Sequence, residues 1–177
     1  MTPRELEEYR ALRATIRERG TARVCTFVLG LIGWAGLVLA SAAIGAPPAG
    51  TLLPLLVLAG VFEAIFALHI GVERVGRYLQ VFFEAEGGWE RTAMAYGQAY
   101  RGGPNPLFTF VFTAAAVLNF LPVLVAEPIA VEVVAMGAAH LCFIARIVMA
   151  IRAAGRQRAT DLERFQRIKA TSAPVQS

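Results

Sequence analysis

Glu63 is the costliest residue of this chain to place. It lies inside an apolar run, Leu52–Gly71, about eight residues from the end that meets the arginine-bearing connector, or roughly 12 Å deep along a helix. A carboxylate at that depth in hydrocarbon must be paired, hydrated or protonated. By the same count Asn119 and His140 lie at similar depth in two further apolar runs, and Arg146 follows His140 by about one and a half turns. Glu63, Asn119, His140 and Arg146 therefore make an expected intramembrane polar cluster. An acid beside an imidazole is the chemistry of a proton or cation relay, or of a binding pocket. The plainer alternative is a polar staple, in which hydrogen bonds hold helices together.

A second group falls where the same run leaves the apolar region. His69, Glu73 and Arg77 are spaced i, i+4, i+8, so they share one face of a helix and can pair along it. With Arg74 and Glu84 they form a set of cytoplasmic-face candidates. A metal site made of His69, Glu73 and His140 lacks any HxxxH or CxxC spacing, so no metal is expected. No Ser/His/Asp set, glycine-rich phosphate loop or zinc signature occurs, and a single Asp in the chain argues against two-metal chemistry. No catalytic residue and no cofactor is expected from the residues themselves. Cys25 and Cys142 fall inside apolar runs and read as small packing residues.

The elements that must position these groups are four apolar runs: residues 24–44, 52–71, 107–126 and 129–150. Each is near the roughly 20 residues a helix needs to cross about 30 Å of hydrocarbon. The chain has 177 residues, 56% of them hydrophobic, and a mean hydropathy of +0.56. A soluble domain of this size has no interior large enough for so much apolar surface. Barrel strands alternate apolar and polar over about ten positions, whereas these runs are continuous and twice as long. The expected fold is an all-α integral membrane protein with four transmembrane helices. Acidic residues Glu5, Glu7, Glu8 and Glu18 precede the first run, so a cleaved signal peptide is not expected.

Charge sets the threading. Residues 1–23 carry six Arg, residues 72–106 carry four, and the tail from Arg152 carries five Arg and one Lys, while the turns at 45–50 and 127–128 carry no positive charge. Positively charged loops stay inside, which predicts cytoplasmic N- and C-termini and a multi-pass location in the cell inner (plasma) membrane. The net charge of +4 would suit nucleic acid. Here the basic residues flank the spans, where they meet anionic headgroups, and a nucleic-acid partner is rejected. The expected partners are the lipid bilayer, a cytoplasmic or membrane protein, and further copies of the chain.

The polar segments carry helical patterns of their own. Thr2-Pro3-Arg4-Glu5 reads as a capping box with proline at the first helical position, and Leu6, Tyr9, Leu12 and Ile16 form a stripe. Residues 1–23 are thus an expected cytoplasmic amphipathic helix. Span two, 52–71, continues its period to about Glu86, where Gly87-Gly88 ends it. The connector 87–106 holds a short interfacial helix from Trp89 to about Tyr100, closed by the break at residues 101–106. Residues 151–177 predict a second amphipathic helix, with a capping box at Thr160-Asp161-Leu162-Glu163, and a disordered end from about Thr171. Gly30, Gly33 and Gly36 read as a close-packing seam in span one. Residues 1–177 are read as a single four-span domain, its third and fourth spans joined by a tight turn at Glu127-Pro128.

Glu73-Arg74-Val75-Gly76-Arg77, followed by Glu84, resembles the ER-x-x-R…E pattern of the MAPEG family, four-span membrane enzymes and binding proteins that handle glutathione and lipid mediators. The resemblance covers about twelve residues. It implies Arg74, Arg77 and Glu84 as cofactor-binding residues. Val81 stands where the family has Asn, and the pattern follows the second span here instead of the first. Both departures favour coincidence. Three functions follow, in decreasing order of support: a non-enzymatic scaffold or accessory subunit acting through its cytoplasmic helices, a small oligomeric channel or carrier using Glu63 and His140, and a membrane enzyme for a lipophilic substrate.

Overall fold

The computed structural model describes residues 1–84, 88–99 and 106–172, the side chains of residues 98, 99, 106 and 107 apart. All regular structure among them is helical: α1 (Pro3–Ala43), a 3-10 turn (Pro48–Thr51), α2 (Leu52–Phe82), α3 (Trp89–Ala99), α4 (Pro106–Val125) and α5 (Ala130–Ser172). Four helical stretches, Pro3–Ala43, Pro48–Phe82, Phe108–Val125 and Ala130–Ser172, are long and apolar enough to cross a membrane.

α1 begins where the capping box places it. The Thr2 N–H donates to Glu5 Oε2 at 2.6 Å and the Glu5 N–H donates to Thr2 Oγ1 at 3.3 Å. The Thr2 backbone hydrogen bond holds the Glu5 carboxyl below its ordinary value. The helix then runs 41 residues without interruption, about 60 Å. The segment expected to be amphipathic and the expected first span are one helix. Gly45, at φ 61°, turns the chain after it, a conformation that costs glycine little.

Several expected boundaries are corrected. α2 ends at Phe82 instead of near Glu86; Gly87 lies outside the described residues. α3 covers the short helix as far as Ala99, and Tyr100 with the expected break at 101–105 lies outside the described residues. The capping box at Thr160 does not start a helix, because α5 passes through it unbroken. Thr160 Oγ1 instead donates back to the Arg156 carbonyl at 3.1 Å, the local bond a helical Thr makes when no free helix end needs it. Thr171 and Ser172 are the last turn of α5, so the predicted disorder does not begin there; residues 173–177 lie outside the described residues.

The chain divides into two compact units. One takes Met1–Ala22, Ala67–Gly103 and Arg152–Ser177; the other takes Arg23–Phe66 and Pro104–Ile151. The first holds most of the arginines and the second most of the apolar runs, and α1, α2 and α5 contribute to both.

The apolar unit has a core of Leu55, Leu58, Phe62 and Ile65 from α2, Phe112, Ala115 and Ala116 from α4, and Phe143, Ile147 and Ala150 from α5. The spacing is that of one helical face. Phe62 sits against Phe112 at 5.4 Å and Phe143 at 6.0 Å, both edge-on, the arrangement aromatic quadrupoles favour. α1 reaches this core through Phe27, Leu31 and Trp34, while Leu29, Ile32 and Leu39 stay exposed. Gly30 lets it approach. A Cβ there would lie 2.5 Å from both Val61 methyls, whereas Cβ atoms at Gly33 and Gly36 would meet nothing. The expected glycine seam therefore packs inside this unit only at Gly30.

In the arginine-rich unit, Leu79 is fully buried, and Tyr78, Phe82 and Phe83 form an aromatic group with Phe165 of α5. Tyr9 adds its ring at 6.0 Å from Phe83.

Candidate functional site

The expected intramembrane cluster separates into two centres. Asn119 and His140 form one of them, joined by two residues the sequence did not single out, Trp34 and Thr51. Trp34 Nε1 donates to Asn119 Oδ1 at 3.2 Å. The Asn119 amide lies 2.9 Å from the Thr51 carbonyl and 2.9 Å from His140 Nε2. His140 Nδ1 lies 2.7 Å from the Met136 carbonyl. A carbonyl only accepts and the Asn119 amide only donates, so the pattern closes with the proton on Nδ1 and Nε2 accepting. Every polar atom of Asn119 is then used. Its relative exposure is 1%, and that of His140 is 4%. One side chain on α4 thus ties α1, the 3-10 turn and α5 together. Asn119 and Thr51 also line an open, mainly apolar cleft of about 540 Å3.

Glu63 and Arg146 form the other centre. Arg146 Nη2 donates to Glu63 Oε2 at 2.8 Å, and its guanidinium lies over the Phe66 ring at 5.5 Å. Their side chains are 45% and 40% exposed, so the pair lies on the outer surface of the apolar unit. The sequence reading put Glu63, Asn119 and His140 at one depth, with Arg146 about one and a half turns beyond His140. Asn119 contacts Thr51, the last residue of the 3-10 turn before α2 and twelve positions from Glu63, or about 18 Å along a helix. Helix rotation adds to the separation. Phe62 points into the core, and one residue further on the side chain swings through about 100°.

The cytoplasmic-face candidates all fall in the arginine-rich unit, and each has a partner there. Arg77 Nη2 donates to Glu73 Oε2 at 3.0 Å and Nη1 to Gln80 Oε1 at 3.4 Å. Arg158 of α5 brings its Nε to 3.0 Å from Glu73 as a charge contact and its Nη2 to 3.3 Å from His69. Arg74 pairs with Asp161, the single aspartate, at 3.3 Å. Glu84 accepts from Arg13 Nη2 at 3.2 Å and from the Glu90 N–H at 2.8 Å, with the Arg91 N–H at 3.4 Å. It thereby caps α3, whose first N–H groups have no partner within the helix.

Arg13 holds Glu84 and Glu90 together, the latter at 2.7 Å. Burial alone would lower the Arg13 guanidinium, but the Tyr9 hydroxyl and the Glu90 carboxylate outweigh it and hold it above its ordinary range. Burial, helped by the bond to Glu8, raises the Tyr78 hydroxyl. Arg74, Arg77 and Glu84 point to three different partners, unlike the shared cofactor site that the MAPEG resemblance implies. Among the described residues, no group of three or more His, Cys, Asp and Glu comes together to hold a metal ion.

Arg13, Arg158 and Asp161 escaped the sequence reading because their partners lie 71 to 89 residues away. Trp34 carried a usable signal, as the only Trp within the four apolar runs, where a buried indole N–H needs an acceptor. Comparison with known protein families, with curated proteins and with solved structures finds no match.

Proposed function

We propose that this chain is a non-enzymatic scaffold or accessory subunit of the cell inner (plasma) membrane. Its four spans anchor it, both termini are cytoplasmic, and it engages its partner through the helices of the arginine-rich unit. One observation carries the reading. His69, Glu73, Arg74 and Glu84, the residues best suited to a site, are each spent on a contact to another helix, with Arg158, Asp161, Arg13 and the start of α3. Such cross-links favour a fixed surface over a reactive pocket. The phenylalanine-filled core of the apolar unit supports a passive role. Glu63, turned outward and paired with Arg146, gives little support to an ion path shared with His140.

The test is flux in proteoliposomes containing the full chain. The scaffold reading expects no proton or potassium flux under an imposed gradient, with Glu63→Gln indistinguishable from wild type. Flux that Glu63→Gln abolishes would replace it with the carrier reading. A photo-crosslinker at Glu18 or Arg164, both exposed, should give a discrete protein adduct in cells. One placed at Leu29 should not.

A further inference from the structure

The arginine-rich unit contains an open cavity of about 580 Å3 between α2, α3 and α5, a volume in the range of small-molecule sites. Its polar lining is one-sided: Arg91 and Lys169 supply two cations, Gln80 and Gln166 supply amides, and among the described residues none that lines it is acidic. Met94 and Leu162 line the apolar part.

Three side chains show unused donor capacity aimed at this space. Gln80 is only 6% exposed, yet its amide nitrogen donates to nothing better than the Met94 sulfur, at 3.8 Å. A thioether is a weak acceptor, and a buried amide without a good partner carries a desolvation cost. Lys169 gives one N–H to the Val81 carbonyl, among the last of α2, which have no acceptor role within their own helix. That bond fixes the ammonium at the cavity and leaves two N–H groups over. No described residue pairs with the Arg91 guanidinium.

We propose that this cavity binds an oxyanion, phosphate or carboxylate, carried on an apolar body. The oxyanion would accept from Arg91, Lys169 and the Gln80 amide, and the apolar portion would rest on Met94 and Leu162. The headgroup of an anionic lipid and a free phosphate share this chemistry. The proposal goes beyond the scaffold reading and stands if that reading fails.

The full chain in non-ionic detergent is titrated by native mass spectrometry with phosphatidylglycerol, with phosphatidylcholine of the same chains, and with inorganic phosphate. Phosphatidylglycerol should bind at least tenfold more tightly than phosphatidylcholine. Arg91→Gln and Lys169→Gln, both at exposed positions, should each weaken it about tenfold, the worth of one charge-assisted hydrogen bond. Arg164→Gln removes an equal charge from α5 outside the cavity and should leave binding unchanged. Phosphate binding as tightly as the lipid, with the same dependence on Arg91 and Lys169, would support the oxyanion site and assign it to a free anion. Equal binding of the two lipids without such phosphate binding, or an Arg164→Gln loss as large as that of Lys169→Gln, would overturn the proposal.

Discussion

Replacing Asn119 by leucine tests whether one amide joins the helices of the apolar unit. The change keeps the branched shape and the number of side-chain heavy atoms, with methyl groups in place of the amide atoms. It strips a partner from each of three groups: the Trp34 N–H, the Thr51 carbonyl and His140 Nε2. Hydrogen bonds between membrane helices average about 0.6 kcal/mol and reach about 1.7. Three of them amount to about 2 kcal/mol, or about 5 kcal/mol at the upper bound. The assay is reversible unfolding in mixed micelles, followed by circular dichroism. Leu118→Ala, at an exposed neighbouring position, serves as the control and should cost well under half as much. His140→Phe combined with Asn119→Leu should cost less than the sum of the single changes, because both remove the same bond. An Asn119→Leu protein within about 0.5 kcal/mol of wild type, below the average for even one such bond, would refute the reasoning.

Three further outcomes follow from the same geometry. Arg146→Leu leaves the Glu63 carboxylate unpaired on an apolar surface and should destabilise by about 2.5 kcal/mol, while Glu63→Leu/Arg146→Leu should recover most of that; a double variant worse than the single would contradict the pairing. Gly30→Ala drives a methyl into the stiff Val61 side chain and should cost about 1–3 kcal/mol in the same unfolding assay, against a negligible change for Gly33→Ala. For pH, the folded state holds the Tyr78 proton more tightly than the unfolded chain does. This contribution is fully present below the ordinary tyrosine value of 10.0 and is lost as pH rises above it, through the raised folded-state value, so Tyr78→Phe should flatten the loss of stability above pH 10.0.

The helices were the legible part of this sequence, because continuous apolarity and a capping box are local signals. Thr2 and Glu5 sit three residues apart and cap α1 whatever the rest of the chain does. The same signature at Thr160 misled, since a capping box matters only where the backbone has a helix end to satisfy, and Asp161 is instead drawn to Arg74. The candidate residues were recognisable by type but not by grouping. Depth along a run carries no rotation, and Glu63 follows Phe62 by one residue, enough to turn it from the core to the surface. Glu84 stood out as a charged candidate, yet its role as a cap depends on where α3 begins in space. Partners that meet across 70 or more residues leave no pattern in one sequence.

The measurement that bears most directly on the whole account is cysteine accessibility in intact cells. In a background with Cys25 and Cys142 changed to alanine, single cysteines replace Ala49, exposed in the 3-10 turn, and Arg164, exposed on α5. A membrane-impermeant maleimide should label the Ala49→Cys protein directly and the Arg164→Cys protein only after the cells are permeabilised. Labelling of Arg164→Cys in sealed cells, with Ala49→Cys protected, would invert the threading and remove the basis for a cytoplasmic partner.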